Sequence, residues 1–212
     1  ELVTEFQVGS NGVLRFEVDP TDTASGFILT ENLPQGVNEN VREGNIFSPV
    51  HDLLPTSGDI NEIGYEVRGD FPNRALVVSF FNLRMFSCTN LRNTHMIVLY
   101  EFSNVIEIYV KEKLVCSFNN GNAALGIQNF DDTVAFVPPG RNVLDPDWEI
   151  NNGGVGEFWS FSPNPATSDP TWQLEWIGPD GTVYSTNETI NVCPNPNGQE
   201  DIYTLRITYT NV

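Results

Sequence analysis

Between Arg74 and Gln128 the chain carries three dense β runs with little room between them: Leu76–Phe81, Met96–Phe102 and Val105–Lys111. Only Ser103-Asn104 separates the last two, so the sequence predicts a two-residue hairpin and an antiparallel sheet, because parallel neighbours need a long crossover. Leu76 to Phe81 is apolar at every position except Ser79, the pattern of a strand buried on both faces. In the third run Ile106, Ile108 and Val110 share one face, while Glu107 and Lys111 point outward beside Tyr109, the pattern of a half-exposed strand. Ala123-Ala-Leu-Gly-Ile-Gln128 follows, and its small residues suit a place where another backbone packs close.

The flanking sequence adds short strands and turns. Gly9-Ser-Asn-Gly12 between Phe6-Gln-Val8 and Val13–Val18 is a hairpin signal. Phe27–Thr30 reads as a short strand, residues 31–45 as a polar surface loop, and Asn45–Pro55 as an extended segment pinned against a sheet. Ile60–Arg68 is a strand with Ile63, Tyr65 and Val67 alternating, and Asp131–Val137 is another. No stretch keeps a helical period. Residues 1–163 are therefore expected to form an all-β, antiparallel β-sandwich domain. Pro163, Pro165, Ser168, Asp169 and Pro170 make a stiff polar linker. In 164–212, Trp172–Ile177 places both tryptophans and Leu174 on one face. Val183-Tyr184, Thr189–Val192 and Tyr203–Tyr209 supply further strands, the last with Leu205, Ile207 and Tyr209 on one side. This second module reads as a partial immunoglobulin-like β-sandwich, cut short of a full domain.

Charge and cysteine usage set the compartment. There are 28 Asp+Glu against 10 Lys+Arg, a net charge of -18, and the only lysines are Lys111 and Lys113. Such a surface repels phosphate backbones and anionic membranes, which argues against nucleic-acid binding. No run reaches the roughly 18 apolar residues of a membrane span, so membrane insertion is not expected. The first residues already read as strand, as in a processed product or a piece of something longer. With three cysteines, Cys88 and Cys116 are the natural disulfide pair, each at the end of a β run in the same sheet region. Cys193 is left over, read as pairing beyond Val212 against the plainer reading of a buried thiol.

Candidate sites are sparse. His51-Asp52 is the only close pair of histidine and acid, but neighbours on a strand face opposite ways, and His95 starts a buried run. No Gly-x-Ser-x-Gly elbow occurs, and two histidines with one spare cysteine make no zinc site. The expectation is that the chain is not an enzyme. Asp145, Asp147 and Glu149 place oxygens at alternate positions, as calcium loops do, although Ile150 stands where an EF-hand needs glycine. Calcium is the one cofactor the sequence suggests, against the plainer reading of a solvated acidic loop. Trp148, Phe158 and Trp159 cluster near glycines 153, 154 and 156 and form a candidate ligand-binding surface. Rings on a loop can stack on sugars, though such rings more often pack into a core.

A longer ordered series of motifs is similar to one type of protein. It comprises Gly9–Phe16, Phe47–Pro55, Phe71-Pro-Asn-Arg-Ala-Leu-Val-Val-Ser-Phe80, Cys88, Ile106-Glu-Ile-Tyr-Val110 and Cys116. Asn119-Asn-Gly-Asn-Ala-Ala-Leu-Gly-Ile-Gln-Asn129, Pro138-Pro-Gly-Arg-Asn142 and Phe158-Trp-Ser-Phe-Ser-Pro163 complete it. Together these resemble the N-terminal region of large Bacteroidetes cell-surface adhesins exported by the type IX secretion system, many linked to gliding motility. Trp176, Asp180-Gly181 and Val192-Cys193-Pro194 match the Ig/PKD-like repeat that follows in such proteins. Ser160 departs from the basic residue expected between the aromatics, and these proteins carry more β sequence ahead of the position of Glu1. The resemblance implies a secreted, cell-surface, non-catalytic module that binds a cell-surface or extracellular glycan or protein and reaches the secretion machinery through a C-terminal region. It also implies O-glycans at Thr23 and Thr133, each in an Asp-Thr-apolar context. The alternative is a carbohydrate-binding module or the accessory domain of a secreted hydrolase.

Overall fold

The structure is a computed structural model that describes residues 3–22, 26–27, 29–35, 44–145, 148–151, 153, 155–163, 171–187, 189–192, 197 and 201–210. The chain divides into two compact units, residues 2–162 and 163–212. Among the described residues all regular structure is β apart from one short 3-10 turn, Phe118–Gly121, in which Asn119 and Asn120 take left-handed dihedrals.

The first unit is a sandwich of two antiparallel sheets. One has the order β1 (Gln7–Gly9), β2 (Val13–Arg15), β3 (Ile46–Val50), β9 (Ala124–Gln128), β10 (Ala135–Phe136). The other runs β11 (Glu157–Phe161), β8 (Ile106–Lys113), β7 (Cys88–Tyr100), β6 (Ala75–Met85), and then β4 (Leu53–Leu54). β5 (Ile63–Arg68) pairs with the Ala75–Phe80 part of β6, while β4 takes Arg84 and Met85. The core between the sheets joins Leu14, Ile46 and Leu125 to Val78, Phe80, Leu83, Met85, Ile97, Ile108 and Val110. Burial of such side chains supplies the main folding drive, about 1.5–3 kcal/mol for each large one.

The segment from Asn45 to Pro55 is more than an extended piece lying on a sheet. It forms the central strand β3 and then crosses at His51-Asp52 into the opposite sheet as β4. Pro49, which has no N–H to donate, sits where the register against β9 shifts between Phe47 and Val50. Every β3 residue is buried. A second apolar cluster of Val13, Leu29, Leu33, Phe47, Val50, Ala124 and Val143 covers the far side of this sheet. The described residues 27, 29 and 30 belong to no strand, and Leu29 serves this cover instead.

Side-chain amides hold the cover where a third sheet would have used backbone. Asn142 accepts from Leu33 N–H at 2.9 Å and donates to Leu33 C=O at 3.4 Å. Gln128 accepts from Gln35 N–H at 3.1 Å and donates to Gln35 C=O at 3.2 Å. Asn122 donates to Leu29 C=O at 2.7 Å. The Pro138–Asn142 motif thereby acquires a mechanical role. Arg141 in it forms a two-pronged ion pair with Glu157 of β11, and its guanidinium lies 5.1 Å from the Trp148 ring.

β6 differs from its sequence reading. Val78 and Phe80 are buried on the inner side, but the other side is only half-buried and Phe81 is 55% exposed. A bulge after Phe80, with Asn82 at φ 53°, breaks the alternation. The hairpin from β7 to β8 also differs. Tyr100 N–H bonds Val105 C=O at 3.0 Å, so the loop is Glu101–Asn104, four residues rather than two, closed by Asn104 at φ 52°. The two-residue turn lies instead at Phe86-Ser87, where Met85 pairs with Cys88. β10 is confined to Ala135–Phe136, much shorter than the expected strand. The small residues of β9 do face a backbone, since a Cβ on Gly126 would sit 2.6 Å from Phe136 O.

The Cys88–Cys116 disulfide forms, closing a separation of 28 residues beside the T-shaped pair Phe86–Phe118. In the second unit β12 (Thr171–Ile177) pairs with β13 (Val183–Ser185) and β14 (Thr204–Thr210). The register sets Leu174 and Trp176 opposite Ile207 and Leu205 on one face. Thr189–Val192 is not a strand, and the described residues of this unit form one three-stranded sheet.

Candidate functional site

The outer face of the larger sheet is built by strict alternation. Facing pairs Met96–Tyr109, Val98–Glu107 and Tyr109–Phe158 place these side chains on the side opposite Ile97, Ile108 and Val110. The Tyr100 and Tyr109 hydroxyls both donate to Glu107 Oε2, at 2.8 and 2.7 Å. Donation to this carboxylate raises both phenols above the ordinary tyrosine value, Tyr109 strongly, so both stay neutral at physiological pH. The Tyr109 and Phe158 rings lie 4.9 Å apart at 39°, and Phe158 is 52% exposed. The face is thus a level apolar floor of Val77, Met96 and Val98 carrying three aromatic rings gathered round one carboxylate.

A second unusual group lies inside the sandwich. Asn93 and Lys113 face each other across β7 and β8, and both are fully buried. His51 at the sheet crossing and His95 on β7 are buried too, with the His95 ring stacked on Phe80 at 4.5 Å. Lys113 Nζ donates to Trp148 C=O at 2.6 Å and lies 4.2 Å from the Trp148 ring centre. Among the described residues His51 Nε2 and both His95 ring nitrogens find no hydrogen-bond partner. Burial holds His95 down to about 3. Burial, followed by the charges of Lys113 and His95, holds His51 well below its usual value. Both imidazoles are therefore neutral. Burial raises the carboxyl of neighbouring Asp52 to about 6, and it remains half-exposed. No acid–base pair results, because His51 faces the interior and Asp52 the boundary.

The residues singled out in the sequence are dispersed. Trp148 is a core residue whose Nε1 donates to Ala123 C=O at 3.2 Å. Trp159 lies on the inner face of β11, donating to Glu157 Oε2 at 3.1 Å, while Phe158 alone of the three faces outward. The Trp148–Phe158–Trp159 surface is therefore not one surface: adjacent positions on a strand point to opposite sides. Asp145 Oδ2 accepts from Asn142 N–H at 2.7 Å, closing its own turn, and Glu149 is exposed. Asp147, Thr23, Cys193 and the 164–170 linker lie outside the described residues. Among the described residues no three acids, histidines or cysteines are grouped to hold a metal. Thr133 is exposed in the turn between β9 and β10, its hydroxyl accepting from Asn129 Nδ2 at 2.9 Å. Asp22 forms a buried ion pair with Arg15 at 3.1 Å.

Glu107 and Tyr109 were legible as outward residues from the alternation of β8. Tyr100 was not, because the apolar run continues past it into the turn. No curated protein and no solved structure matches the chain. The family model described as NIDO related matches residues 1–145, which carry β1 to β10 with the disulfide and most of the aromatic face. The chain therefore belongs to the NIDO-related family, and its first unit is a module of extracellular type.

Proposed function

We propose that this chain is a non-catalytic extracellular module of a large secreted cell-surface adhesin, serving attachment or gliding motility. The observation that carries the reading is the NIDO-related match over a sandwich closed by the Cys88–Cys116 disulfide. Such a bridge persists in oxidising, extracytoplasmic surroundings. The motif series shared with type IX-secreted surface proteins of Bacteroidetes supports the finer assignment and a link to that secretion machinery beyond Val212. Competition is the test. Purified chain added to cells of the source organism should reduce their attachment and spreading, and deleting its coding segment should do the same. Cells that attach and spread normally in both experiments would remove the adhesin reading. A carbohydrate-binding role is the second reading, favoured by the ring-bearing outer face. The hydrolase-accessory alternative predicts a hydrolytic activity that disappears in His51→Ala.

A further inference from the structure

We propose that the outer face of the β6–β7–β8–β11 sheet binds a neutral glycan, with Phe158 and Tyr109 as the stacking platform and Glu107 as the central acceptor. The inference deepens the adhesion reading by naming the chemistry of its ligand. The aromatic groups are preorganised. They stand on neighbouring strands, and the two phenols are tied to one carboxylate oxygen at 2.8 and 2.7 Å. Little side-chain freedom is left to lose on binding.

The hydrogen-bonding capacity of the face selects the ligand. Both tyrosine protons are committed to Glu107 Oε2, so the phenol oxygens and the rest of the carboxylate offer lone pairs only. A partner must bring donors, together with an apolar face to lie on the rings. A pyranose offers both, with hydroxyls round its edge and C–H bonds on its flat side. The chain as a whole is strongly acidic, with a net charge of -18, but this face is balanced. Arg68 lies on it in the row of Ala75 and Tyr100, bonded to Glu66 at 2.8 Å, and exposed Lys111 follows Tyr109 by two residues, so two cations offset Glu66 and Glu107. A lysine-rich peptide would meet cations already in place. An anionic ligand would meet Glu107.

The test uses the whole 212-residue chain. Soluble neutral polysaccharides (a β-glucan, an α-mannan and a xylan) are titrated calorimetrically and by affinity electrophoresis, with oligolysine in parallel. At least one polysaccharide should bind, with little difference between low and high salt. Phe158→Ala and Tyr109→Ala should each weaken binding about tenfold, from loss of ring contact. Phe158→Tyr should retain it. Phe136→Ala, exposed on the other sheet, should change nothing. Phe158 is exposed at a sheet edge, so its variant is expected to fold, and an unchanged unfolding midpoint checks this.

Absence of polysaccharide binding overturns the proposal. So does binding indifferent to Phe158→Ala and Tyr109→Ala, or salt-sensitive binding of oligolysine alone. If wild-type chain and Phe158→Ala block cell attachment equally, adhesion stands and the glycan face falls. A chain that binds polysaccharide but does not compete for attachment leaves the face standing and removes the adhesion reading.

Discussion

Removing the disulfide by Cys88→Ala with Cys116→Ala should lower the stability of the first unit by about 3.6 kcal/mol. The figure follows from the separation of 28 residues. In the chain-entropy description a closed loop of that length removes about 12 cal/mol/K from the unfolded ensemble, which at 25 °C is about 3.6 kcal/mol. The structure indicates why the full value should be approached. The loop holds β7 and β8, whose pairing runs from Leu99–Ile106 to Asn93–Lys113 and stops short of the bridged residues. Beyond Asn93, β7 turns to β6 through Arg84–Arg92, so little native pairing brings residue 88 towards 116 once the sheet is lost. Cys116 is also buried beside Phe86 and Phe118, so exchange for alanine removes some packing as well. The assay is urea unfolding of oxidised wild type and the double variant, followed by near-ultraviolet circular dichroism. With a denaturant slope of about 2 kcal/mol/M, the midpoint should fall by about 1.8 M. Reductant should move the wild-type midpoint in the same direction and leave the variant's unchanged. Coincident midpoints would refute the argument, since the bridge would then constrain nothing that the unfolded chain was free to do.

Two further outcomes follow from the interior. Gly126→Ala should cost about 1–3 kcal/mol, because its Cβ would lie 2.6 Å from Phe136 O and 3.1 Å from Val137 Cγ2. Gly64→Ala, with open space around it, should be neutral or slightly stabilising in the same urea titration. Stability should also fall with acid. His51 and His95 have folded values below the ordinary 6.5, so the unfolded chain takes up protons first, and stability is lost as pH drops below about 6.5 towards the folded values. Between pH 7 and pH 5.5 the His95 contribution alone is about 1.3 kcal/mol, and His51 adds to the loss in the same direction. Asp52 acts in the opposite sense: its value is raised to about 6, so its folded form gains stability as pH falls through that point, by an amount that solvent screening keeps small. His95→Phe, which keeps a ring on Phe80 and removes two unpaired nitrogens, should roughly halve the pH slope of the urea midpoint. An unchanged slope would show that His95 is already solvated.

The β class and the antiparallel core were legible because alternation is a local signal. Ile106, Ile108 and Val110 announce one face of β8 without any knowledge of the rest of the chain. The loop after β7 was misjudged because Phe102 and Val105 look like strand, whereas only backbone pairing shows that Glu101–Asn104 leaves the ladder. The covering layer was not legible at all. Its fixings, Asn142 to Leu33 and Gln128 to Gln35, join residues 109 and 93 positions apart through single amides, and no periodicity marks them. His95 was legible as the start of a buried run, but nothing local showed that His51 shares the same interior.

The same limit explains where the candidate site lies. An apolar run records that both faces of a strand avoid water, not what each face touches. β6, with the longer run, has one face open, whereas β3, interrupted by Ser48 and Pro49, is the strand buried throughout. β3 is covered because loops anchored by side-chain amides fold across its sheet, and the described residues provide no such cover for β6, β7 and β8. Their outer apolar residues are therefore left for solvent or a ligand. There the sequence places Glu107 and Tyr109 within an otherwise β-branched alternation, and the structure adds Tyr100 and Phe158 from the neighbouring strands. A merely solvated face would be served by lysine and glutamate, whereas this one ties two tyrosines to a single carboxylate and packs Phe158 against one of them. That arrangement is costly to leave bare to water and well suited to a partner that combines hydroxyl donors with a flat apolar side.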